Sequence, residues 1–158
     1  MDRTDRQIIR ELQANARQTN NELAERIHLS PSPCLRRVRN LEKAGIIQGY
    51  TAIVDHEAYG LPISVFASIR IEKHSEENVR AFETAIAGID EILECYLMAG
   101  TSDYMLHIVA DSLTSYERFM KTKLHRIPGL ASIESNFAIG TIKRRRALPS
   151  LAHFRDGG

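Results

Sequence analysis

Between Ile63 and Ile139 the apolar residues switch back and forth between a spacing of two and a spacing near 3.6, and that rhythm constrains the fold more than any other feature. Side chains alternate across a strand and recur every third or fourth residue on one face of a helix. Val65, Ala67, Ile69 and Ile71 alternate within 63–72. Val79, Phe82, Ile86 and Ile89 then step at helical intervals through 75–89. Leu93, Cys95, Leu97 and Ala99 give a second strand, Gly100 to Asp103 a turn, and Tyr104, Leu106, Ile108 and Ala110 a third strand. Tyr116, Phe119, Met120 and Leu124 mark a helix from Leu113 to Ile127, which Pro128-Gly129 ends. Ile133, Ser135, Phe137 and Ile139 supply a last strand. The order strand, helix, strand, strand, helix, strand predicts a βαββαβ, ferredoxin-like unit.

The first fifty residues have another character. Thr4 and Gln7 have capping-box spacing ahead of a helix with Ile8, Ile9 and Leu12 on one face. Thr19 and Glu22 repeat the pattern before Leu23, Ala24 and Ile27. Ser30-Pro31, an N-cap followed by proline at the first helical position, opens a third helix that Gly45 stops. Two of these helices joined by so short a turn form a helix-turn-helix outline. Ile46 to Val54 reads as a strand, a short β wing bent at Gly49, and Asp55 to Pro62 as a linker. The expected class is α+β, a winged helix-turn-helix joined to a ferredoxin-like domain. Its parts are 1–54 as the helix-turn-helix with its short β wing, 55–62 as linker, 63–146 as the ferredoxin-like domain, to which the resemblance described below assigns effector binding and oligomerisation, and 147–158 as tail.

Charge is distributed accordingly. The chain as a whole carries +1, but residues 1–50 hold nine Lys/Arg against six Asp/Glu, and 51–142 hold seven against thirteen. A basic front suits a polyanion; the acidic middle does not. Placed at about 100° per residue, Leu35, Val38 and Leu41 fall on one side of the third helix, flanked by Cys34. Pro33, Arg36, Arg37 and Asn40 fall on the other. Arginine can donate two parallel bonds to guanine, and asparagine can pair with adenine. The candidates nearest the bases are Ser32, Pro33, Arg36 and Arg37, with Arg39 and Asn40 toward the phosphates. A solvated charged face is the plain alternative.

Other chemistry is not expected. Cys34 and Cys95 are far apart and read as packing, the six histidines show no two-ligand spacing, and no glycine-rich phosphate loop is present. No catalytic set, metal site or cofactor is indicated. No apolar run reaches the roughly 18 residues of a membrane span, and Met1 to Asp5 lacks the apolar stretch of a secretory signal, so the expectation is a cytoplasmic, nucleoid-associated protein.

The stretch Leu29 to Ile47 resembles the recognition segment of the Lrp/AsnC (feast/famine) family of transcriptional regulators, as do Asp5-Arg6 with Ile8-Ile9, Glu22-Leu23-Ala24 and Gly49-Tyr50. In the second half, Gly100 to Tyr104 resembles that family's glycine–aspartate–tyrosine turn, and Ile127-Pro128-Gly129 the end of its second helix. The resemblance implies a double-stranded DNA partner, dimers formed through the βαββαβ domains and further assembly into octamers. It also implies an effector, commonly an amino acid, bound between dimers. Carried over by that resemblance, the effector candidates are Leu97, Gly100, Asp103, Leu113, Asn136, Phe137 and Ala138. Taken alone, Gly100 and Asp103 are ordinary turn residues and Leu97 and Phe137 ordinary core. Two competing readings are an architectural DNA-binding protein of weak sequence preference and a tetrapyrrole decarboxylase of the same two-domain plan.

Overall fold

A computed structural model describes residues 1–144 and 147–149. The chain divides into two units: residues 1–52 group with the described residues from Ile142 onward, and Ile53–Thr141 forms the other. Arg145 and Arg146 of the basic run, and most of the expected tail, lie outside the described residues.

In the first unit three helices, α1 (Arg3–Ala14), α2 (Asn20–Arg26) and α3 (Pro31–Lys43), enclose a small core. Helix α1 begins earlier than the Thr4–Gln7 pattern predicts. Asp2 is its N-cap, accepting from the Asp5 N–H at 2.8 Å, while Asp5 accepts from the Asp2 N–H at 2.9 Å. Two carboxylates at the positive end of a helix outcompete a hydroxyl and an amide two residues further in. The Thr19–Glu22 box forms as expected, and so does the Ser30-Pro31 start of α3. The reversal between α2 and α3 passes through His28 at φ 56.

Ile8, Leu23, Ala24, Ile27, Cys34 and Leu41 form this unit's core, with Ile9, Leu12, Leu29, Val38 and Ile47 packed against them. The buried stripe of α3 is therefore Cys34, Val38 and Leu41, not Leu35, Val38 and Leu41; Leu35 is 37% exposed. Residues at i, i+4 and i+7 lie within about 60° of one another, whereas Leu35 is about 100° from Cys34. Gly45, at φ 68, ends α3 in a left-handed turn closed by Gly45 N–H to Glu42 and Ile46 N–H to Leu41. The segment from Ile46 to Val54 forms no strand, contrary to its apolar pattern. It finds no partner strand: Ile47 joins the core, Tyr50 donates to Glu42 at 2.9 Å, and Ile46, Ile53 and Val54 stay exposed.

The second unit is the expected βαββαβ succession: β1 (Ile63–Ile71), α4 (Glu76–Ala87), β2 (Ile92–Leu97), β3 (Tyr104–Ala110), α5 (Leu113–Thr122) and β4 (Leu130–Phe137). A short 3-10 turn, Leu124–Arg126, follows α5. The sheet runs β2-β3-β1-β4, each neighbouring pair antiparallel. Val65, Ala67, Ile69 and Ile71 of β1 and Tyr104, Leu106, Ile108 and Ala110 of β3 meet Phe82, Ile86, Tyr116 and Phe119 from the helices. The opposite face carries Phe66, Ser68, Met105, His107, Glu94 and Tyr96, with Phe66 stacked on His107 at 4.8 Å. Cys95 shares the core-facing register with Leu106 yet is exposed, because β2 is an edge strand that extends past the helices' cover. The packing reading holds for Cys34, whose burial pushes its thiol upward, but not for Cys95.

Phe82 is fully buried at the centre of the larger core. Truncating it to alanine is expected to cost about 3–5 kcal/mol, read from denaturant unfolding of this unit; a loss below about 1 kcal/mol would contradict the packing.

Candidate functional site

Helix α3 is set by its buried stripe, so the opposite side is forced outward. Measured from the centre of Cys34, Val38 and Leu41, that side is occupied by Ser32, Arg36, Arg39, Asn40 and Lys43, all exposed. Sequence reasoning put Leu35 in the stripe with Cys34 at its flank; the observed burial moves the centre toward Cys34 and places Lys43 on the outward face beside Arg36. Pro33 is half-buried at the first turn. Arg36, Arg39 and Lys43 have no acidic partner among the described residues. They leave a block of positive charge available to an anion. The turn that delivers α3 is fixed by the Asn20 amide, which donates to the Pro31 carbonyl at 2.9 Å.

Arg37 differs. It is half-buried, and its Nη1 donates to Asp2 Oδ2 at 2.8 Å and to Asp5 Oδ1 at 2.7 Å. These bonds raise its affinity for the proton, the Asp5 contribution leading.

The second-unit candidates fall into two groups. Leu97 ends β2, Gly100 lies in the following turn, and Asp103 precedes β3. Asp103 is heavily engaged. Its Oδ2 accepts the Ile71 N–H at 2.8 Å, its Oδ1 meets His74 Nε2 at 2.8 Å, and its own N–H donates to Ile69. The Ile71 N–H first, and His74 second, hold its carboxyl below the ordinary 3.8, so it is ionised at neutral pH. Asp103 thereby knots the hairpin to the end of β1, a role that its turn position alone did not reveal.

The other group lies at the far end of the sheet. Leu113 opens α5 and is 60% exposed; Asn136 and Phe137 end β4, and the Ala138 N–H donates to the Ser64 carbonyl at 2.9 Å. Phe137 rests edge-on against Tyr116 at 5.2 Å. In the strand register Leu97 shares a row with Tyr104 and Ile69, whereas Phe137 shares one with Val65 and Ile108. Four residues along the strands and three strand spacings across separate them by roughly 20 Å. One chain does not bring these candidates together. Leu97 and Phe137 are both half or more exposed, or nearly so, rather than core.

Among the described residues no group of His, Cys, Asp and Glu is disposed to hold a metal ion, and no helix is long and apolar enough to cross a membrane.

Comparison with known proteins bears on both halves. Residues 1–48 match the model for a winged helix-turn-helix DNA-binding domain, and residues 64–148 the model for the Lrp/AsnC ligand-binding domain. The Bkd operon transcriptional regulator of Pseudomonas aeruginosa is 39% identical over 149 residues, covering 94% of this chain and 97% of that protein. The leucine-responsive regulatory protein of Escherichia coli is 36% identical over 148 residues, covering 94% and 90%. The crystal structure of a Neisseria meningitidis transcriptional regulator in complex with L-methionine superposes with a TM-score of 0.90 at 34% identity, covering 98% and 99%. Relatives that match from end to end are regulators, which sets aside the decarboxylase reading. With a basic recognition helix in one unit and a ligand-binding fold in the other, the chain belongs to the Lrp/AsnC family of effector-modulated, DNA-binding transcriptional regulators.

Proposed function

We propose that this regulator binds a specific duplex sequence, with Ser32, Pro33 and Arg36 toward the bases and Arg39 and Asn40 toward the phosphates, and that an amino acid controls how its copies assemble on DNA in the nucleoid of the cytoplasm. The observation that carries the first part is the outward face of α3, where Arg36, Arg39 and Lys43 stand without acidic partners among the described residues. Near the helix's N-terminal half, Arg36 has the two parallel donors that suit the O6 and N7 of guanine. Arg39, Asn40 and Lys43 supply phosphate contacts that fix register.

The second part rests on the sheet. Its open face offers Phe66, 40% exposed, and Tyr96, 52% exposed, beside His107. We read it as the face that a second copy covers, giving a dimer from which octamers are built. The effector candidates occupy opposite corners of the sheet, so a complete pocket needs corners from different chains. Asp103 would offer its Oδ1 to an α-ammonium group in exchange for His74 while keeping the Ile71 N–H. Backbone near Gly100 would meet the α-carboxylate, and Leu97, Leu113 and Phe137 the side chain. Asn136 and Ala138 line the same end as Phe137. A ligand held between copies binds some assemblies better than others, and that difference is what regulation requires. The relative crystallised with L-methionine and the one named leucine-responsive make these two the first ligands to try.

Three outcomes are expected. Arg36→Ala should weaken binding to a duplex selected from random sequence by about 1–3 kcal/mol and lower the ratio of specific to non-specific affinity at fixed salt. An unchanged ratio would contradict base reading, and a wild-type ratio near one would favour the architectural alternative. In a thermal-shift screen of the twenty amino acids at least one should stabilise the protein, and Asp103→Ala should abolish that shift; a shift that survives would remove Asp103 from the pocket. Phe66→Glu should convert oligomers into monomers in light scattering, while an unchanged mass would place self-association on another face.

A further inference from the structure

Three arginines lie on α3, and they differ in kind. Arg36 and Arg39 are exposed without acidic partners among the described residues, but the Nη1 of Arg37 is shared between Asp2 Oδ2 and Asp5 Oδ1. Those two acids already cap α1. Asp2 Oδ1 accepts the Asp5 N–H, and Asp5 Oδ2 accepts the Asp2 N–H. Each carboxylate spends one oxygen on the cap and the other on the guanidinium. Of these four hydrogen bonds, all between 2.7 and 2.9 Å, two close the cap of α1 and two join it to the middle of α3.

Helical geometry explains why Arg37 is the residue so used. It sits about 60° from Cys34, beside the buried stripe and on the side away from Leu35, whereas Arg36 points nearly opposite the stripe. Asp5 has only 16% of its side chain exposed and Arg37 only 34%, so this bridge is shielded more than an ordinary surface pair. Charge gives the second argument. Two carboxylates and one guanidinium leave a net negative charge, and a phosphate approaching Arg37 would be a third anion at one cation.

We propose that Arg37 is a positioning residue and not a DNA contact: with Asp2 and Asp5 it ties α3 to the start of α1 and fixes the orientation in which Arg36, Arg39 and Asn40 meet the duplex. The Asp2 carboxyl, held below its ordinary value by the Asp5 N–H and then by Arg37, accords with a bridge formed at neutral pH. The proposal rests on the DNA-facing surface assigned above.

Salt dependence separates the roles, because each phosphate neutralised adds about 0.9 to the slope of log K against log salt. The full-length protein is titrated with a fluorescein-labelled random-sequence duplex over a range of salt, and its thermal midpoint is recorded. Arg39→Gln, the reference on the phosphate-contacting part of the face, should lower the slope by about 0.9 per bound helix. Arg37→Gln should lower the midpoint by roughly 4 °C or more and leave the slope at the wild-type value. Arg37→Lys, which keeps a cation within reach of both acids, should restore most of the midpoint with the slope again unchanged. A slope reduced in Arg37→Gln, or a midpoint unmoved, would overturn the proposal. If Arg37→Gln does not fold, Asp5→Asn retains the cap acceptor and halves the bridge. It should lower the midpoint, and a midpoint left at the wild-type value would overturn the proposal. An Arg39→Gln slope that does not fall would sink the DNA-face assignment instead. The Arg37 bridge would still be decided by its midpoint and by the lysine rescue.

Discussion

A four-stranded sheet with helices on one side has two unlike faces, and most of the second unit's behaviour follows from that asymmetry. Val65, Ala67, Ile69, Leu106 and Ile108 are sealed beneath α4 and α5, while Phe66, Tyr96 and His107 look the other way. Burial of aromatic surface is favourable at about 25 cal/mol per Å², so an uncovered face of this kind favours a second copy. On the proposed pairing, corners of different sheets approach one another, and Leu97 and Asp103, some 20 Å from Phe137 within a chain by strand spacing, become parts of one proposed ligand site.

The first unit solves a different problem, that of keeping a basic helix rigid while leaving its charge available. Apolar packing through Cys34, Val38 and Leu41 fixes one side of α3, and the Asp2–Arg37–Asp5 bridge adds a directional tie beside it. The acids that serve this bridge neutralise Arg37 alone. Arg36, Arg39 and Lys43 have no acidic partner among the described residues. On the proposed reading, stability and recognition are drawn from neighbouring arginines with opposite surroundings.

What the sequence made legible was whatever depends on period. The βαββαβ order, the buried alternation from Val65 to Ile71 and the Thr19–Glu22 cap are all local patterns, and the structure repeats them. What escaped depends on partners distant in the chain. The wing strand at 46–54 has suitable residues but no neighbour to pair with. Cys95 has a core register but lies on an edge. Leu35 was placed in the buried stripe and Cys34 at its flank, because the neighbours that fix the centre of the stripe, Ile8 and Leu23 among them, lie elsewhere in the chain. Asp103 looked like a turn residue, and only the fold brings the Ile71 N–H and His74 to it. Arg37 belonged to the exposed face until the cap of α1, more than thirty residues away, was seen to claim it. A pair of aspartates three residues apart before an apolar helix was the signal that could have suggested a capping role for Asp2.

The central claim is that a ligand site exists only where corners of two chains meet, and complementation tests it most directly. Asp103→Ala and Phe137→Ala chains, each silent in thermal shift with the amino acid that stabilises wild type, are unfolded together, refolded as mixed oligomers and assayed again. Pockets that draw Asp103 from one chain and Phe137 from another should reappear in the mixture, at about a quarter of the wild-type number if chains assort at random, and the stabilisation should return in part. A mixture as silent as its parents would contradict a shared site.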